Sequence, residues 1–402
     1  MPFPLDPPVM VIAGARTPWG RFTGSLSEYN ATDLAVIASK EAIKRSGVPP
    51  EKFGHTIMSV TRANSSLDAH HMGRHTGLKA GLPIEAGGLM LNRLCGGSLQ
   101  STIIGAYIIH FGEAEYVLTG GTESMTNSPH SIWGLRSGLG LGEGSMHDTL
   151  WDGLVDTYCG LGMGGTAEKL AGQYGITREQ ADQYALRSQM LTAQAQKDGR
   201  LAEEIVPVEY TVKKKEKAIL EADETPRPST TPEILAKLRP AFVKDGQVTA
   251  GNACPMADGA GATVIGSAEA VERDGIEPLG ELLAWSAVGV PPDIMGIGPV
   301  PAIRLVLERS RMKLDDIDVI EINEAFACQV LACLKELDLD VDRVNTQGGS
   351  VALGHPLGAT GARLTLTLLL QMRRKKAKYG ISAMCIGGGQ GMAALFRNPQ
   401  VS

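Results

Sequence analysis

In the run Leu91-Asn92-Arg93-Leu94-Cys95-Gly96-Gly97-Ser98-Leu99-Gln100, a cysteine sits at a glycine-rich turn just ahead of a helical pattern. Ile103, Ile104, Tyr107 and Ile108 recur at helical spacing, which predicts a helix over 99–110. A thiol at a helix start meets unpaired backbone N–H groups and the positive dipole end, and both favour its thiolate. That is the setting of a sulfur nucleophile. The structural alternative is a small buried cysteine at the same place.

Three further loops carry reactive side chains: Glu321-Ile322-Asn323-Glu324-Ala325-Phe326, then Gly348-Gly349-Ser350-Val351-Ala352-Leu353-Gly354-His355-Pro356-Leu357-Gly358, then Cys385-Ile386-Gly387-Gly388-Gly389-Gln390-Gly391. A cysteine with the ordinary pKa of about 8.5 can both give and accept a carbon-bound proton near neutral pH. Cys385 could instead be a core residue ending a strand. Against that, the three following glycines would let the backbone approach a ligand closely. His355 lies between Gly354 and Pro356, which disfavours a helical setting; a satisfied structural histidine is its alternative.

A Cys loop, an Asn-Glu-Ala-Phe loop, a Gly-His-Pro loop and a Cys-x-Gly-Gly-Gly loop, in this order, resemble the thiolases. The likeness is closest to the 3-ketoacyl-CoA and acetyl-CoA acyltransferase branch. It runs from Ala13-Gly14-Ala15-Arg16-Thr17-Pro18 to Gly391. It implies CoA-dependent cleavage of a 3-ketoacyl-CoA, or the reverse Claisen condensation, with Cys95 carrying the acyl group. By the same resemblance His355 helps deprotonate Cys95 and donates a hydrogen bond to the thioester oxygen as the enolate develops. Asn323 would hold the water completing that hole, and the N–H groups of Cys95 and Gly387 would form the second oxyanion hole. Cys385 would serve the enolate. Glu324 is either a surface carboxylate or, as we favour, a supporting polar group.

For CoA, Arg227 and Thr230 match a family segment at the nucleotide end, Cys254 a position usually held by serine beside the pantetheine, and Met295 and Phe326 apolar pocket positions. Arg227 could be a plain loop charge, and Met295 and Phe326 plain core residues. CoA would be a substrate, with no permanently bound cofactor and no metal, and the chain would form a homodimer or homotetramer. Three departures stand out. The family usually reads Cys-(Gly or Ala)-Ser-Gly where this chain has Cys95-Gly96-Gly97-Ser98, and this loop is expected simply to repack around Ser98. Cys254 replaces serine with a poorer donor. Gly162-Met163-Gly164 lacks a histidine that some acetoacetyl-CoA thiolases carry before the methionine. Two other functions compete: a decarboxylating condensing enzyme of the ketoacyl synthase type, which would not need Cys385, and a non-catalytic acyl-CoA binding protein.

The 402-residue chain could hold two or three domains, and its net charge of −6 argues against general nucleic-acid binding. The basic run 213–217 reads as a solvated loop and 373–378 as a helix end, where cations suit the dipole. Six scattered cysteines follow no disulfide framework, so a reducing compartment is expected: the cytoplasm, or the mitochondrial matrix in a eukaryote. Cys328 and Cys333 lack a second ligand pair for zinc. The proline-rich segment 1–8 reads as a disordered tail, and no apolar run reaches the roughly 18 residues that span a bilayer.

The elements that must position these groups alternate as in an α/β protein. Helices are expected over 33–46, 301–311 and 361–374, and strands over 55–60, 319–323 and 381–385. A weak internal repeat, 92–121 against 345–389, runs as glycine-rich turn, helix, strand. It would place Cys95 and His355 at equivalent helix starts, with the catalytic groups meeting between halves. The resemblance implies two similar βαβαβαββ halves in a five-layered α-β-α-β-α core. The first half would comprise residues 1–125 and 249–276, an inserted loop domain covering CoA 126–248, and the second half 277–402.

Overall fold

The computed structural model describes residues 5–212 and 216–401. Both halves of its central sheet repeat one pattern. Phe53–Val60 runs parallel to Tyr116–Glu123, which pairs antiparallel with Ala257–Ser267, which in turn pairs antiparallel with Val9–Arg16. In the second half Val319–Ile322 runs parallel to Tyr379–Ile386, followed antiparallel by Gln390–Arg397 and then Gly280–Gly289. Val9, Met10 and Val11 pair with Leu282, Glu281 and Gly280, joining the sets into a ten-stranded sheet. The first half adds the strand Gly87–Leu91 beside Phe53–Val60; among the described residues the second half has at that place the single bridge between Ile320 and Val344.

The helices Gly97–His110 and Thr360–Lys375 precede the equivalent strands Tyr116–Glu123 and Tyr379–Ile386. Leu99, Ile103, Ala106 and Ile109 of the first share one buried cluster with Leu364, Leu368, Leu369 and Met372 of the second. Residues Thr360 to Leu369 are buried without a break, as expected of a helix enclosed on all sides. Burying each leucine there contributes about 1.5–3 kcal/mol. So the two helix starts, one after Cys95 and one after His355, are brought together by the apolar surface behind them.

The other expected elements form with shifted ends. The first helix is Ala31–Ser46, where the Asn30 side chain accepts the Asp33 N–H at 3.0 Å and Gly47 closes the end with φ of 66°. The helix expected at 301–311 is Pro299–Ser310. After Glu123 the chain leaves the sheet for the helices Met163–Tyr174 and Arg178–Lys197 and three small ribbons, and returns at Ala257. Cys328 and Cys333 are core residues whose thiols donate to the Ala167 and Gly296 carbonyls.

Two readings need correction. Leu5 is buried and the Pro8 carbonyl accepts the Ala268 N–H, so the described part of the opening segment is packed, because an apolar side chain finds core there. Residues 1–4 lie outside the described residues. Lys217 opens the strand Lys217–Leu220, which pairs with Val208–Thr211, rather than closing a loop; residues 213–215 lie outside the described residues. Among the described residues no helix is long and apolar enough to cross a membrane.

Candidate active site

Cys95 lies in the 3-10 turn Leu94–Gly96 immediately before the helix Gly97–His110. Asn92 builds this turn: its Oδ1 accepts the Leu94 N–H at 2.9 Å while its Nδ2 donates to the Thr61 carbonyl at 3.1 Å. Burial pushes the Cys95 thiol up to about 11, the N–H groups of Gly387 and of Cys95 itself pull it back, and the Glu123 carboxylate raises it further. Backbone N–H groups at this turn do favour the thiolate, as expected, but burial acts the other way and is the larger effect. The resting group is a thiol that needs a base. The two N–H groups that stabilise sulfur charge are the same pair expected to form an oxyanion hole.

His355 is buried between the short helix Ser350–Leu353 and the turn Leu357–Ala359. Its Nδ1 lies 2.7 Å from Thr360 Oγ1, and that hydroxyl donates to the Pro356 carbonyl at 3.0 Å. With its proton so used, Thr360 can only accept, so Nδ1 carries the histidine's proton and Nε2 is left with a lone pair. Nε2 lies 3.3 Å from Asn323 Nδ2. The orientation of that amide is set from behind: Ser350 Oγ donates to Asn323 Oδ1 at 2.7 Å and itself accepts from the Arg363 guanidinium at 3.3 Å. Burial, followed by the Arg363 charge, holds the imidazole down at about 3, so it rests neutral with its lone pair at Nε2.

Cys385 is fully buried near the end of Tyr379–Ile386. Burial drives its thiol far above the ordinary range, and neighbouring Cys95, Cys333 and Cys254 add to that, so it rests protonated. The idea that it keeps an ordinary cysteine pKa is corrected. It is stored as an acid. The glycine argument also changes: a side chain on Gly389, whose φ is 79°, would strike the Pro292 backbone, so that close approach is to the protein's own chain. Arg93 Nη1 donates to Gln390 Oε1 at 3.0 Å, tying the Cys95 turn to the Cys385 hairpin. The segment around Cys254 closes the group: Cys254 N–H donates to the Ala325 carbonyl at 3.1 Å, and His355 N–H to the Pro255 carbonyl at 3.1 Å.

Residues 9–269 match the thiolase N-terminal domain, and residues 276–398 match the thiolase C-terminal domain. This chain belongs to the thiolase family. It is 46% identical over 391 residues to the mitochondrial 3-ketoacyl-CoA thiolase of Rattus norvegicus, covering 97% of this chain and 98% of the other. It is 41% identical over 386 residues to the acetyl-CoA acetyltransferase of Cupriavidus necator, covering 96% and 98%. The human mitochondrial 3-ketoacyl-CoA thiolase in complex with CoA superposes with a TM-score of 0.93 at 44% identity, over 97% of this chain and 98% of that one.

The remaining thiolase positions fall into three groups. Cys254 is partly buried and close enough to Cys95 for its thiol to be raised to about 12, by burial first and then by the Cys95 charge. Met295 and Phe326 are buried in the same cluster as Cys385. Arg227 is exposed, while Thr230 is buried and closes the turn by donating to the Arg227 carbonyl at 2.7 Å.

Several residues were missed or under-read in the sequence. Glu324 is wholly buried: Tyr184 and Asn345 donate to Oε1 at 2.9 Å each, Ser188 to Oε2 at 2.7 Å and the Val351 N–H to Oε2 at 3.0 Å. It fastens the helix Arg178–Lys197 to the Asn323 and His355 loops. Glu123 accepts the N–H groups of Thr61, Arg62 and Gly358. Met163 packs at Gly387, and Phe242 stands edge-on to Phe326 at 6.2 Å. Phe242 sits in an ordinary-looking polar segment, and no periodicity marks it.

Proposed function

We propose that this chain is a CoA-dependent thiolase that cleaves a 3-ketoacyl-CoA with CoA to acetyl-CoA and a shortened acyl-CoA, or catalyses the reverse condensation, through a thioester on Cys95. The observation that carries the reading is a Cys95 sulfur stabilised by the Gly387 N–H, together with a buried histidine whose Nδ1 is engaged by Thr360 so that Nε2 keeps its lone pair. Nε2 of His355 takes the Cys95 proton and Sγ attacks the ketone carbon. The oxyanion so formed faces the N–H groups of Cys95 and Gly387. A donor in such a place is worth about 2.7–4 kcal/mol of barrier.

Collapse of the adduct breaks the bond between the α and β carbons, and its electrons pass into the enolate of acetyl-CoA. His355, now protonated at Nε2, donates to the enolate oxygen with Asn323 beside it. Cys385 gives its proton to the enolate carbon. The incoming CoA thiol returns a proton to Cys385, attacks the acyl group on Cys95, and His355 finally reprotonates the Cys95 leaving group. A thiol serves both exchanges because thioester is traded for thioester.

Arg227 and Thr230 suit the nucleotide end of CoA, and Cys254, Met295 and Phe326 its pantetheine and acyl side. We divide the chain into a first half of residues 1–125 and 249–276, an inserted cover of 126–248 and a second half of 277–402. A homodimer or homotetramer in a reducing compartment, cytoplasm or mitochondrial matrix, suits the reading. The ketoacyl synthase alternative leaves Cys385 without a task, and the binding-protein alternative leaves the neutral His355 without one. Loss of 3-ketoacyl-CoA absorbance on adding CoA to the purified protein, measured across chain lengths, tests the reading. CoA binding with no turnover at any chain length would return it to a binding protein.

A further inference from the structure

The helix Thr360–Lys375 begins without a side-chain cap of its own, because its N-cap position is Ala359. A helix start leaves its first N–H groups without intrahelical partners, and here they are buried. The Ala362 N–H, third in the helix, donates at 2.8 Å to Ser98 Oγ, which comes from the other half of the molecule. Ser98 is fully buried and is the second residue of the helix that follows Cys95. Two residues before Thr360, the Gly358 N–H donates at 3.0 Å to Glu123 Oε2, again from the first half. Thr360, the residue that holds His355 Nδ1, is thus bracketed by two anchors from the half that bears the nucleophile.

From this geometry we infer that Ser98 is a positioning residue: it caps the histidine helix in trans and thereby sets His355 against Cys95, three residues upstream of Ser98. The inference rests on Cys95 as nucleophile and His355 as base. It also accounts for the reversed order after Cys95. A side chain at Gly97 would come within 2.7 Å of Ser59 Cβ and fall on its hydroxyl, so this position is closed, whereas position 98 faces a backbone donor. A hydroxyl moved one place along the loop therefore becomes an acceptor for the opposite half. Gly361, between Thr360 and Ala362, is equally tight: a Cβ there would lie 2.6 Å from the Leu99 nitrogen and 3.0 Å from Ser98 Oγ. The two helix starts have no slack to absorb loss of the bond.

The test compares Ser98→Ala with Ser101→Ala, which deletes another buried hydroxyl of the same helix, one that donates to the Gly97 carbonyl of its own backbone. Expected for Ser98→Ala are a fall in kcat of about tenfold, KM for CoA within twofold, and a matching fall in the rate at which iodoacetamide alkylates Cys95 at pH 7. Ser101→Ala should leave all three near the wild type. A purely structural role would lower the melting temperature while leaving kcat and the alkylation rate unchanged, and that result overturns the inference. Equal losses in the two variants overturn it as well. Ser98→Gly removes the hydroxyl without adding bulk and carries the same expectations if Ser98→Ala does not fold. A wild-type protein that is neither alkylated at Cys95 nor active would overturn the catalytic reading instead, before Ser98 is reached.

Discussion

Asn323 Nδ2 faces His355 Nε2 across 3.3 Å, so the amide nitrogen meets the one imidazole nitrogen left without a proton. Protonating His355 would point an N–H at an NH2 group that is locked by Ser350, in a site already burdened by the Arg363 charge.

Burial of His355 and the Arg363 charge set a pH dependence. The folded value of His355, about 3, lies below the ordinary 6.5, so its contribution to stability is complete above about 6.5 and is lost as pH falls toward 3. Relative to His355→Gln, the wild type should lose about 1.6 kcal/mol of stability between pH 6.5 and 5, measured by urea unfolding of both proteins. A difference that stays constant over this range would mean the folded histidine titrates normally.

The two sulfurs should separate cleanly. Acetyl-CoA should acetylate Cys95 in wild type and in Cys385→Ala, as read by peptide mass, because thioester exchange moves no carbon-bound proton. Exchange of the acetyl-CoA methyl protons into deuterated water should persist only in wild type, with a loss above a thousandfold in Cys385→Ala. Cys95→Ala should lose transfer while keeping CoA binding. Label on a different cysteine, with Cys95→Ala still active, would remove Cys95 from the mechanism.

Cys254→Ser should be tolerated, with kcat within about threefold and a lower KM for CoA. Hydroxyl is the better hydrogen-bond partner, and the backbone bond from Cys254 to Ala325 does not involve the side chain. Steady-state kinetics in CoA decide it, and a large fall in kcat would give the cysteine another role.

Restoring the family order with Gly97→Ser and Ser98→Gly should lower turnover by more than tenfold, about 1.4 kcal/mol of barrier. The sequence alone suggested mere repacking around Ser98. The structure reverses that expectation: a hydroxymethyl group added at position 97 meets Ser59, and the Ala362 N–H loses its acceptor. Adding Ser59→Gly should recover thermal stability but only part of the turnover. Full recovery in the triple variant would show that packing alone, and not the cap, governs this loop.

What could be read along the chain were features set by neighbours in sequence. Cys95 ahead of a helix, His355 kept out of helix by Gly354 and Pro356, and the repeated turn-helix-strand unit all follow from local backbone preferences. The helices Gly97–His110 and Thr360–Lys375 start just after Cys95 and His355, and the strands that follow them pair in the same order. Glu324 was recognisable as a carboxylate of interest, but its four donors come from three separate segments, so its burial was not.

Tertiary structure alone decided the charge states and the joints between halves. Whether Cys95 rests as thiol or thiolate depends on how much water the surrounding chain removes, and burial is the largest influence on it. Ser98 and Ala362 stand 264 residues apart, and Glu123 and Gly358 stand 235 apart. Periodicity reports which face of an element is apolar, not which distant backbone N–H comes to lie against it. Those bonds exist because burial of two apolar helices presses their starts together, leaving donors that only the opposite half can satisfy.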